Sequence, residues 1–262
     1  MRSSNPVLTR LDAPGQTRGY GSPVSTYPSP VVSAAGSDRM TIDDVVVRTV
    51  GLLIVTALSG AAIWAAVDTG LVSDRLISPI WIGAALVGVV IGLIISFRRI
   101  TNPPLILAYA VVEGVAVGMF SMWFESRYPG IVLQALIGTF GIFLVMTALY
   151  RFRVIRNSPR FSRGVIAAMS GIFVLILVSW VLSFFGINTH LRDGSTFSII
   201  FSLVVIVVAS LTFILDFDLI EQSIRYGAPK STAWTCAFGL LVGLIWVYLE
   251  VVRLLSYLRG RN

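Results

Sequence analysis

Seven stretches of about 20 consecutive apolar residues, separated by short polar breaks, constrain this chain more than any other feature. Each is long enough to cross the roughly 30 Å hydrocarbon core of a bilayer as a helix. They lie near residues 45–67, 77–97, 105–124, 131–150, 165–185, 196–215 and 233–258. The period-two alternation of an outer-membrane barrel is absent from these runs. Composition agrees, since 56% of residues are hydrophobic and 13% charged, whereas soluble domains carry about 25% charged residues. The reading is an all-α integral membrane protein with seven transmembrane helices.

The breaks carry their own signals. Thr41-Ile42-Asp43-Asp44 reads as a helix start, with Thr41 or Asp43 as the cap and acids in the first turn. Pro79 suits a first-turn position of the second helix, and Asn102-Pro103-Pro104 and Tyr226-Gly227-Ala228-Pro229 interrupt the chain. Residues 1–40 hold five of the eleven prolines and no apolar run. They read as a disordered tail, not a signal peptide, ahead of a transmembrane domain at 41–262.

Net charge is +7. The basic residues cluster in short loops between apolar runs, which marks topology determinants and not a nucleic-acid surface. Arg39, Arg48, Arg98, Arg99, the five arginines of 151–163, Arg225 and Lys230 fall on the side of the tail. This places the N-terminus in the cytoplasm of a multi-pass protein of the cell membrane. Seven spans put the C-terminus outside, but Arg253, Arg259 and Arg261 near it suit an inside end. A re-entrant or half-length last segment is the competing topology.

Small residues recur four apart at Gly88 and Gly92, at Ala110, Gly114 and Gly118, and at Gly239 and Gly243. Such faces let helices approach closely within a bundle. Cys236 is the single cysteine and lies in an apolar run; His190 is the single histidine and lies in a loop. No disulfide framework and no zinc motif of the HExxH kind can be built from them.

Four acids lie at membrane depth or at its edge: Glu113, Asp216, Asp218 and Glu250. A charge at the centre of a span costs roughly 2.5–3.5 kcal/mol on insertion scales, so each needs a partner or a task. Arg253 is three residues from Glu250, and Arg225 is four from Glu221, spacings that pair side chains on a helix. Two carboxylates brought together in low dielectric share one proton and titrate as a unit. Ionised, their oxygens suit calcium.

Asp218-Leu219 follows an apolar run ending in Phe217, and Tyr248-Leu249-Glu250 precedes Val251-Val252-Arg253-Leu254-Leu255. With Glu113-Gly114 in the third run, these residues resemble the Bax-inhibitor (transmembrane Bax-inhibitor-motif) family over about 45–258. The resemblance implies six helices packed around a central C-terminal seventh. It also implies a pH-sensitive calcium leak gated by a carboxylate pair, with calcium and protons as its ions and no cofactor. Carried over, Asp218 and Glu250 form the pH sensor and could hold calcium between them, with Asp216 as an extra candidate. Arg98 or Arg99 becomes a latch on these acids, and Glu113 a group in the pore or proton path. The acid of the last helix is Glu here, and the segment between the two acids is longer than the family's. Straight helices would keep Asp218 and Glu250 apart, so their meeting requires a kink, an interfacial segment around 223–232 or a shifted helix. The alternative is a non-conducting regulator that docks a membrane protease or another membrane protein through the tail or the basic loop. No Ser/His pair, metal cluster or phosphate-cradling loop points to an enzyme.

Overall fold

The structure is a computed structural model that describes residues 39–98, 100–186, 189 and 191–261. The expected tail therefore lies outside the described residues except for Arg39 and Met40, as do Arg99 and His190. Among the described residues there are seven helices: α1 (Ile42–Asp68), α2 (Asp74–Arg98), α3 (Pro103–Arg127), α4 (Ile131–Arg151), α5 (Pro159–Phe184), α6 (Thr196–Arg225) and α7 (Thr232–Arg259). All seven are long and apolar enough to cross a membrane.

Local chemistry explains the ends. Thr41 is the N-cap of α1: its hydroxyl accepts from the Asp44 N–H at 3.2 Å, and the Asp44 carboxylate accepts from the Thr41 N–H at 3.2 Å. This reciprocal box satisfies two backbone donors that the first turn leaves free. Ser158 and Ser195 cap α5 and α6 with a single bond each, accepting from the N–H groups of Phe161 and Ser198. Helix α2 starts at Asp74, earlier than the apolar run suggests, so Pro79 sits inside the helix and not in its first turn. Helix α6 runs on past Asp218 to Arg225, so its last turns are polar.

Helix α7 is the most buried of the seven helices. Of its most apolar 18-residue stretch 72% is buried, against 11% for α1, α2 and α5. It packs on α1, α3, α4 and α6, while α2 lies against α3 and α5 against α6. The outer helices turn residues such as Leu58, Leu93, Phe173 and Trp180 outward, as surfaces facing lipid do.

Both ends of α7 are tied to the bundle. Near its start, the Met40 N–H donates to the Ala228 carbonyl at 2.9 Å, and Lys230 pairs with Asp44 at 3.3 Å. Arg48 stacks over the Trp234 ring at 5.4 Å. At its other end, Arg259 donates to the Pro129 carbonyl at 2.8 Å and to Gln134 at 2.9 Å. Helix α7 is one unbroken helix over Thr232–Arg259, long and apolar enough to cross a membrane. Its C-terminal end lies on the face opposite the start of α1.

The small-residue faces pack within the bundle, each against a particular neighbour. Gly114 and Gly118 of α3 meet Gly60 of α1, and a Cβ at Gly118 would lie 2.6 Å from the Gly60 backbone. Gly243 of α7 receives the Phe213 ring of α6. Replacing Gly118 by Ala should lower the apparent unfolding temperature in detergent, by the equivalent of about 1–3 kcal/mol for overpacking against rigid backbone. Gly141→Ala, with nothing within 4 Å of its added Cβ, should not. Equal behaviour of the two variants would contradict the close crossing.

Candidate functional site

Glu250 is the most enclosed acid, 2% exposed on α7. Its two oxygens are both occupied: Ser202 of α6 donates to Oε1 at 2.8 Å, and Arg253 lies 2.5 Å from Oε2. The i,i+3 spacing puts Arg253 on the same face of α7, and Ser202 closes the other side from the neighbouring helix. Arg192 and Tyr257 lie within electrostatic reach of this pair. The group is a buried, hydrogen-bonded ion pair bolting α7 to the early part of α6.

Asp218 lies toward the other end of α6. Its Oδ2 accepts from Asn157 Nδ2 and from Gln222 Nε2, each at 2.6 Å. Asn157 in turn accepts from the Ser162 hydroxyl at 2.5 Å, so Asp218 joins α6 to the α4–α5 connection and to the first turn of α5. One turn further on, Glu221 accepts from the Tyr150 hydroxyl at 2.6 Å and pairs with Arg225 at 2.9 Å.

Asp216 and Glu113 are placed differently. Asp216 points at α7, where a Cβ on Gly239 would come within 3.4 Å of its Oδ1, and it acts electrostatically on Cys236. Glu113 of α3 presses on α2: a Cβ on Gly88 would lie 2.5 Å from its Oε2. Neither carboxyl has a hydrogen-bond or ion-pair partner among the described residues. In each case a glycine on the facing helix makes the room the carboxyl occupies.

The family model described as Bax inhibitor 1 like matches residues 5–260. The chain belongs to that family. The match reaches well into the N-terminal stretch, beyond the 45–258 on which the resemblance in the last helices rests. No curated protein matched the chain in sequence comparison.

Against the expectations drawn from the Bax-inhibitor resemblance, the geometry makes three corrections. Asp218 and Glu250 do not pair. Glu250 meets α6 at Ser202, and the stretch of α6 from Ser202 to Asp218 spans about 24 Å at 1.5 Å per residue. Both helices run without a break across this region, so neither a kink nor a shift brings the acids together. The same separation prevents Asp218 and Glu250 from sharing a calcium ion. Arg98, the last residue of α2, is exposed and forms no ion pair among the described residues, so it latches neither acid. Arg99 lies outside the described residues.

Sequence reasoning did not single out Ser202, Asn157, Gln222 or Tyr150 as partners of the acids. Only Gln222, four residues after Asp218 on one helix, carried a spacing signal; the others come from elsewhere in the chain. The separation is testable by a double-mutant cycle. Effects of Asp218→Asn and Glu250→Gln on unfolding free energy in detergent should add within about 0.5 kcal/mol, as for sites more than about 10 Å apart. A larger coupling would mean that the two carboxyls do meet. Glu250→Ala should by itself cost roughly 3–5 kcal/mol, because it strands Arg253 without its partner in a low-dielectric setting.

Proposed function

We propose that this Bax inhibitor 1 like protein is a pH-sensitive leak for cations, calcium foremost, in a cytoplasmic membrane, with its N-terminus on the cytoplasmic side. The reading is of a conductance and not of an enzyme. The observation that carries it is the lone carboxyl of Asp216 at the seam between α6 and the buried α7, facing Gly239 and Cys236. Glu250 has both oxygens engaged, by Ser202 and by Arg253, and Asp218 is tied down by two amide donors. Asp216 has no such restraint among the described residues.

A change of charge on a carboxyl inside a helix seam alters the free energy of that seam by several kcal/mol. Titration of Asp216 therefore changes how α7 seats against α6, and the small residues opposite give the seam room to adjust. The gate so proposed is one carboxyl, not a pair. Glu113, between α2 and α3 beside Gly88, offers a second oxygen ligand at membrane depth for a hard cation. The arginine-rich connection at 151–163 supports the cytoplasmic placement of the N-terminal face.

Calcium flux into proteoliposomes, scanned from pH 5 to 8, tests this reading. Asp216→Asn should flatten the pH profile, and Glu113→Gln should lower flux while leaving the profile's shape. Glu250→Gln should act on stability and not on the profile. No flux at any pH from folded protein would overturn the proposal in favour of a non-conducting regulator of a membrane-protein partner. A pH profile left intact by Asp216→Asn would remove Asp216 as the gate.

A further inference from the structure

Helix α1 packs on α3 and α7, which leaves a crevice of about 890 Å³ between α1 on one side and α4 and α6 on the other. A volume of roughly 300–1,000 Å³ is that of a small-ligand site. The walls are apolar: Val46, Val50 and Leu53 come from α1, Phe140 and Phe143 from α4, and Leu244 of α7 forms part of the floor. The mouth is cationic. Arg151, Arg153 and Arg156, at the end of α4 and in the connection that follows, all line it.

These three guanidinium groups are exposed and form no ion pair among the described residues. The acids at the same mouth are already engaged, Asp218 by Asn157 and Gln222, and Glu221 by Tyr150 and Arg225. Loop arginines that only orient a membrane protein need to lie near the membrane surface, and nothing more. Here they converge on the opening of one apolar crevice at the end of the spans, where lipid headgroups lie.

Arg153 adds a second, independent observation. Helix α4 ends in a Schellman turn, in which the Val154 N–H reaches the Leu149 carbonyl at 3.0 Å and the Arg153 N–H reaches the Tyr150 carbonyl at 3.0 Å. This turn puts Arg153 in the left-handed region at φ 57°, a position usually filled by glycine because a Cβ is strained there. Every other positive-φ residue among the described residues is a glycine. An arginine is kept at the crevice mouth against local backbone preference, as strained residues at binding sites often are.

We propose that this crevice binds one anionic phospholipid, with its phosphate on Arg153 and Arg156, Arg151 flanking it, and an acyl chain lying along α1 between α4 and α6. An anionic head joined to an apolar tail matches both halves of the site, which a soluble anion or a neutral lipid does not. The inference does not rest on ion conduction, and it holds equally for a regulator.

Native mass spectrometry of the full-length chain in detergent tests it, with phosphatidylglycerol and phosphatidylcholine of the same acyl chains as probes. One phosphatidylglycerol should be retained, and phosphatidylcholine much more weakly. Replacing Arg151, Arg153 and Arg156 together by Gln should weaken phosphatidylglycerol retention by roughly a hundredfold, about fivefold for each arginine at a membrane surface. Val50→Trp, which fills the crevice, should weaken both lipids. Arg153→Gly should raise the lipid-free unfolding temperature while weakening phosphatidylglycerol retention, and it carries the test if the triple variant fails to fold. Equal retention of the two lipids would overturn the proposal, as would undiminished retention by the arginine variants. Release of phosphatidylglycerol by equimolar inorganic phosphate would also overturn it, by making the site one for a free anion.

Discussion

An acid enclosed in a lipid-embedded helix bundle must be paired, hydrogen-bonded or given room, because no bulk water is present to solvate it. The arrangement of this Bax inhibitor 1 like protein follows from how each acid meets that demand. Glu250 is paired with Arg253 and hydrogen-bonded by Ser202, so the most buried charge also joins α7 to α6. Asp218 and Glu221, near the polar end of α6, take donors from the α4–α5 connection, from α4 and from their own helix. Asp216 and Glu113 are given room by glycines on facing helices.

This use of glycine ties packing to chemistry. Small residues are needed wherever helices approach closely without a hydrophobic drive between them, and the Gly60, Gly114 and Gly118 contact between α1 and α3 is of that kind. At Gly88 and Gly239 the same lack of a side chain admits a carboxyl. A seam holding an unrestrained carboxyl can respond to its charge, whereas a seam bolted by an ion pair resists change. The two halves of α6 differ in this respect, with Ser202 bound to the Glu250 ion pair and Asp216 facing Gly239.

The arginine-rich connection after α4 serves the fold and its surroundings together. Its Asn157 holds Asp218, which ties α5 to α6. Its arginines face the mouth of a crevice bounded by α1, the helix that also anchors the start of α7 through Asp44 and Lys230. A ligand in that crevice would touch helices contributing to both ends of the acid network.

By itself the amino-acid sequence determined the number of spans, their approximate limits, the Thr41 start, the small-residue faces and the within-helix pairs Glu221–Arg225 and Glu250–Arg253. These depend on apolar run length and on spacings of three or four, which one helix realises alone. The family, too, was legible from the acids of the last two helices. Tertiary structure decided which carboxyls meet. The spacing from Asp218 to Glu250 does not reveal the axial offset between antiparallel helices, and about 24 Å of α6 separates Asp218 from the level of Glu250. It also decided that Gly88 and Gly239 face acids and that Arg151, Arg153 and Arg156 line one crevice with α1, because such contacts join residues far apart in the chain through the packing of the whole bundle.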